Sequence, residues 1–133
     1  MLKNIIMHLV LARDEVIIMD MEAGLEHLGR ATASGVDHLI VVVEPGQRSL
    51  ETARTVRRLA ADLHLRRVSA VGNKIRSRDD EEFIRRELGD LEVLGFIPFA
   101  DSIIEADRRA VSVYLNSPEA AAAGREIFKR LAG

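Results

Sequence analysis

Val16-Ile17-Ile18-Met19-Asp20-Met21-Glu22-Ala23-Gly24-Leu25-Glu26-His27 is an apolar run that ends in a carboxylate and then enters a glycine turn. The apolar residues Val16 to Met19 predict a strand covered on both faces, the habit of parallel sheets shielded by crossover helices. Ligands of such sheets bind beyond the carboxyl ends of the strands, where Asp20 falls. A carboxylate there suits a Mg²⁺ ion, held directly or through water beside the phosphates of a nucleotide. It equally suits a cap on the following helix, and the segment alone leaves both readings open.

Working outward, Leu2, Ile5, Ile6, Leu9 and Val10 recur at helical spacing, which predicts an amphipathic helix over 2–13 leading into the Val16 strand. A short helix over 22–33 ends at Gly35. His38-Leu39-Ile40-Val41-Val42-Val43-Glu44 is the most strand-like segment, stopped by Pro45-Gly46. Ser49 to Leu63 repeats Leu50, Ala53, Val56, Leu59, Ala60 and Leu63 on one helical face. Its Arg54, Arg57 and Arg58 turn to water as a solvated face rather than a binding patch.

Val68 to Lys74 reads as a further strand, Asp79 to Leu88 as a charged helix stopped at Gly89, and Leu91 to Ile97 as a strand ended by Pro98. A short helix follows over 101–109. Ser117-Pro118-Glu119 then supplies a cap, a proline at the first helical position and an acid in the first turn of a last helix to Leu131. Strands separated by helices of about ten or more residues make βαβ units, so the expected fold is α/β, an open, mainly parallel sheet with flanking helices.

Composition narrows the functional classes. With 133 residues and 47% hydrophobic content, one domain over 1–133 with a real core is expected. A net charge of -2 and an aromatic content of 4% give no electrostatic footprint and little base-stacking surface for nucleic acid. No apolar run approaches the roughly 20 residues that span a bilayer, and residues 1–8 lack a signal-peptide pattern, so the expected location is cytoplasmic, without a membrane partner. The chain has no cysteine, which excludes disulfides, thiolate metal sites and a cysteine nucleophile. His8, His27, His38 and His64 lack metal-ligand spacing and read as surface or boundary residues. Glu22, Glu26 and His27 fall on neighbouring helix turns, where they suit the helix dipole and, alternatively, a cation.

Two strand-end loops carry further chemistry. The side-chain amide of Asn73 offers a donor and an acceptor, the pair that meets the N6 and N7 edge of adenine, although Gly-Asn also favours turns whatever is bound. Ile97-Pro98-Phe99-Ala100-Asp101 stands where it could flank a base or ribose. The phosphates, by contrast, have no cradle: the sequence contains no G-x-x-x-x-G-K-[ST].

A strand ending in D-x-x-A-G, then strands ending in Glu-Pro, Gly-Asn-Lys and Ile-Pro, in that order, resembles the second half of the MinD/NifH-like P-loop ATPases. Within that group, Asp20 to Arg30, Val42-Val43-Glu44-Pro45 with Arg48 to Ala53, and Gly72-Asn73-Lys74 are most similar to the CooC-type ATPases, accessory proteins for nickel insertion into carbon monoxide dehydrogenase. The resemblance covers nearly the whole chain and implies Mg²⁺ and ATP as cofactors. It implies that Asp20 is the Walker B carboxylate near Mg²⁺ and that Gly24 is the switch glycine near the γ-phosphate. Asn73 would read adenine with Lys74 beside it, and Pro98, Phe99 and Asp101 would line the base pocket.

The same resemblance implies a homodimer closed by ATP, or pairing with a complete ATPase, and carbon monoxide dehydrogenase as the protein served. The family's phosphate-binding loop and Cys-x-Cys pair are missing, so the chain reads as a family member without its first half, inactive as an ATPase by itself. The alternative is a catalytically inactive interaction module that pairs with a complete ATPase. A third reading, a response-receiver-like domain with Asp20 as phosphoacceptor, lacks the acidic pair expected near the first strand. In resembling folds the phosphate-loop strand lies between the Val16 and Leu39 strands, and unpaired strand edges inside a sheet are costly. The Val16 strand is therefore expected to pair directly with the Leu39 strand, or to leave a gap that another chain fills.

Overall fold

The computed structural model describes residues 15–21 and 35–133. Its elements are β1 (Leu39–Val43), α1 (Gln47–Asp62), β2 (Val68–Ile75), α2 (Arg78–Leu88), β3 (Glu92–Pro98), α3 (Asp101–Arg108), α4 (Val113–Asn116) and α5 (Pro118–Ala132). The three strands form one sheet in the order β1-β2-β3, and both pairings are parallel. The open parallel α/β architecture expected from the alternation is the one found. The expected helices over 2–13 and 22–33 lie outside the described residues.

Each helix is built from local signals. α1 buries Leu50, Ala53 and Ala60, and its small alanines let the helix lie close on the sheet. Ser77 caps α2 by accepting the Asp80 N–H, three acids fill its first turn, Arg85 and Arg86 its last, and Gly89 ends it at φ +63°. That charge order complements the helix dipole, and the left-handed stop is one that glycine adopts without steric cost. α5 follows the expected cap, with the Ser117 hydroxyl accepting the Ala120 N–H and Pro118 in its first turn. α4 was not expected; its cap is Ser112, whose hydroxyl accepts the Leu115 N–H.

The core gathers Val43 of β1, Leu50 and Ala53 of α1, Ala70 and Ile75 of β2, Ile84 and Leu88 of α2, and Val93 of β3. Side chains of adjacent strand residues point to opposite faces. In β3, Phe96 packs on this core, while a Cβ at Gly95 would lie 2.7 Å from Ile127 of α5. Helices therefore cover the sheet on both sides, α1 and α2 on one and α5 on the other. Arg54 and Arg57 do not simply turn to water as expected: Arg54 pairs with Glu87 at 2.9 Å and Arg57 with Asp90 at 2.8 Å, tying α1 to the far end of α2.

The Val16 segment departs from its expected state. Residues 15–21 form no strand, and Val16, Ile17 and Ile18 are exposed, Ile18 at 87%. Among the described residues β1 has a ladder only with β2, so no direct pairing between the Val16 segment and β1 is seen there. A strand exists only through hydrogen bonds to a neighbour, and among the described residues no strand lies beside this apolar run. Among the described residues, the outer edge of β1 stays open, and its Val42 is 60% exposed.

Candidate functional site

The carboxyl ends of β1, β2 and β3 stand side by side because the strands are parallel and adjacent. Glu44 follows β1, Asn73 and Lys74 close β2, and Pro98 ends β3, with Ile75 in register with Pro98. The structure thus brings Asn73, Lys74, Pro98, Phe99 and Asp101 to one edge of the sheet. Lys74 Nζ lies 2.8 Å from Glu44 Oε1, bridging the ends of β1 and β2. Lys74 also has φ +56°, a left-handed backbone that is strained for a residue with a Cβ, and the β2–β3 register shifts between Gly72 and Ile75. Backbone strain of this kind clusters at binding sites, and it marks the strand end that carries Asn73.

Gly72, just before Asn73, is a packing glycine. A Cβ there would stand 2.5 Å from Cδ1 of Phe96, so the ring of β3 rests directly on the β2 backbone. On the β3 side, the Phe99 N–H donates to the Ile75 carbonyl at 2.8 Å, extending the strand pairing by one bond. Asp101 opens α3 and is exposed. Beside it, the Ser102 hydroxyl meets Ser117 Oγ at 2.8 Å and donates to Glu119 at 2.9 Å. The Glu119 carboxyl is held below its usual range, first by its own backbone N–H and then by Ser102. These bonds fix the start of α3 against the start of α5.

Asp20 is exposed on the segment outside the sheet, so no ladder joins it to this cluster. Gly24 lies outside the described residues, as do Glu22, Glu26 and His27. Among the described residues, no group of three or more His, Cys, Asp or Glu side chains could hold a metal ion. An open depression of about 470 Å³ lies near β1's end, but Asp79, Asp80 and Glu82 line it and give it the wrong sign for phosphate. The residues present fit the base and ribose end of a nucleotide, with a paired donor and acceptor on Asn73 and a flat ring at Phe99. They do not fit the phosphate end, which needs a cradle of backbone N–H groups and a Lys.

The opposite, amino end of the sheet holds a polar chain that sequence reasoning missed. His38 Nε2 is 2.8 Å from Ser69 Oγ, and the Ser69 hydroxyl donates to Glu92 Oε2 at 3.2 Å. The hydroxyl has one proton and gives it to Glu92, so His38 must donate from Nε2, which leaves Nδ1 unprotonated. That Nδ1 is buried without a partner among the described residues. The His38 pKa is lowered, first by burial and then by the charge of Arg67, against an opposing pull from Glu92. A serine inside an otherwise apolar strand was the available signal.

The fold has close counterparts. The MinC:MinD cell division complex of Aquifex aeolicus contains a chain that matches with a TM-score of 0.70 at 24% identity, over 83% of this chain and 48% of that one. MinD of the same organism matches with a TM-score of 0.66, over 83% and 50%. At this identity the likeness concerns the fold alone. No model of a known protein family matches the chain. An uncharacterised ATP-binding protein of Methanocaldococcus jannaschii is 42% identical over 123 residues, 90% of this chain and 48% of the relative. The carbon monoxide dehydrogenase accessory protein CooC of Rhodospirillum rubrum is 40% identical over 118 residues, 89% of this chain and 45% of CooC. Over most of its length the chain is thus similar to part of CooC and of an ATP-binding relative, and it shares the fold of part of MinD.

It spans about half the length of the relatives it matches. The sheet edge described above is thus one part of a MinD-like fold, and the strand ends that carry Glu44, Asn73 and Pro98 lie within it. No helix of the described residues is long and apolar enough to cross a membrane.

Proposed function

We propose that this chain supplies the nucleoside side of an ATP site in a CooC-type accessory ATPase, whose ATP cycle serves nickel insertion into carbon monoxide dehydrogenase. The observation that carries this reading is the gathering of Asn73, Lys74, Pro98, Phe99 and Asp101 at one sheet edge, in a chain 40% identical to CooC over most of its length. Asn73 meets the adenine edge through its amide. Pro98 and Phe99 wall the base, Asp101 faces the ribose, and Lys74 is held beside Asn73 by Glu44. Asp20 would hold Mg²⁺, an ion that keeps most of its waters and so needs only one or two protein carboxylates, and Gly24 would sense the γ-phosphate. The chain's own residues do not cradle the phosphates, so hydrolysis requires a phosphate-binding loop supplied from outside these residues. By itself the chain binds weakly and does not turn ATP over.

A second reading is favoured by the open edge of β1: an inactive module that pairs through that edge with a complete ATPase as a mixed dimer. Isothermal titration with Mg·ATP separates the two. The nucleotide reading expects saturable heat that weakens in Asn73→Ala, and in Asp20→Ala only when Mg²⁺ is present. No heat from the unaltered chain would overturn it and leave the pairing module.

A further inference from the structure

Three arginine–ring pairs occur among the described residues: Arg85 over Phe96 at 4.8 Å, Arg86 over Phe83 at 5.6 Å and Arg76 over Phe99 at 4.8 Å. In the first two the rings are partly buried and pack on the core, so each arginine covers the outer side of a structural ring. The third differs. Phe99 is 43% exposed, is not part of the core cluster and lies at the carboxyl edge of the sheet, one residue past β3. Arg76 stands one residue past β2, exposed.

Both backbones are fixed, which holds the two planar groups together. The Phe99 N–H donates to the Ile75 carbonyl at 2.8 Å, and the Arg76 N–H donates to Asp80 Oδ2 at 2.9 Å, in the first turn of α2. Nothing in the core needs this pair, since neither side chain fills it. A guanidinium on an exposed ring presents a flat, polarisable surface with five donors at its rim. Aromatic and guanidinium planes at a strand end are what a nucleobase stacks on.

We infer that Arg76 and Phe99 form a stacking platform for a purine base, making Arg76 a ligand-contacting residue of the site at the carboxyl edge. The inference rests on the proposed nucleotide reading and adds to it a residue that the strand-end motifs do not include. The purine lies against the Arg76–Phe99 pair while the Asn73 amide meets its edge, so stacking and edge recognition come from different residues.

The test is a titration of the ¹⁵N-labelled chain with adenosine and, separately, with Mg·ATP, followed by NMR. In the unaltered chain the Asn73 and Phe99 amides and the Arg76 Nε–H should shift in a saturable way with both ligands. Arg76→Ala should weaken adenosine binding by about fivefold to tenfold, and Arg76→Lys should recover only part of it because the plane is lost. Circular dichroism confirms that each variant is folded. If Arg76→Ala binds adenosine as tightly as the unaltered chain while Asn73→Ala does not, the platform is wrong and the nucleotide reading stands. If Arg76→Ala weakens only the triphosphate, Arg76 is a charge partner of phosphate and the stacking inference fails. If the unaltered chain shows no shift at Asn73 with either ligand, both fail.

Discussion

The two ends of the same three-stranded sheet use their polar residues in opposite ways. At the amino end, His38 and Glu92 are both joined to the buried hydroxyl of Ser69 across the strands. At the carboxyl end, Glu44, Lys74, Arg76, Phe99 and Asp101 are exposed, and one backbone position is held in the left-handed region. A polar chain joined through a buried hydroxyl contributes to the fold, whereas polar groups presented to solvent by fixed backbones are available to a ligand. The contrast explains why one end reads as structure and the other as a site, though the sheet is continuous between them.

The strongest challenge to this contrast is Gly72→Val, because the Phe96 ring rests directly on the β2 backbone just before Asn73. With a Cβ only 2.5 Å from the ring, the variant should lose about 3 kcal/mol of stability, at the upper end for overpacked sites. Urea denaturation would show it, and an unchanged midpoint would mean that the edge is slack rather than built. Next in size is Ser69→Ala, which strips both His38 and Glu92 of their shared partner. The expected loss is about 1–2 kcal/mol by the same measurement, with nucleotide binding unaltered if the two ends are independent.

Acid should reproduce part of that loss. His38 titrates below its ordinary 6.5 in the fold, so the unfolded chain binds its proton first as the pH falls. Its contribution is fully present above about pH 6.5, where both states are neutral, and is lost as the pH falls through the lowered folded value. Comparing urea midpoints at pH 7.5 and 5.5 in the unaltered chain and in His38→Gln isolates this term from the carboxylates. Equal pH sensitivity in the two would remove His38 from the account. The smallest stability effect belongs to Lys74→Gly, which relieves a strain of about 1 kcal/mol while giving up an exposed ion pair of about 0–1 kcal/mol. The net should stay within about 1 kcal/mol, and a clear loss of nucleotide heat at unchanged stability would place Lys74 in the site rather than in the fold.

Much of this was readable from the chain. Leu39 to Val43 is a near-continuous β-branched run stopped by Pro45-Gly46, and Ser117-Pro118 starts α5 with its own cap; such signals act locally, and the fold obeys them. Asn73 and Pro98 were legible as strand-end residues because parallel strands place all such ends together. What failed depended on partners. Val16 to Met19 has the composition of a strand, yet pairing is a property of two segments, and one segment's sequence does not show whether the other is there. α4 is a single turn, too short for periodicity to reveal. Arg76 lies in a turn among other charged residues, and only the strand register shows that it meets Phe99, 23 positions further along the chain.

The open side of β1 among the described residues also bears on how the purified chain keeps. Leu39-Ile40-Val41-Val42-Val43 contains no lysine, proline or charge to discourage a stranger, and its outer row of N–H and C=O groups has no ladder among the described residues. Pairing between molecules at that row grows with concentration. A stock of the purified chain kept dilute should therefore outlast a concentrated one even when both are far below the melting point.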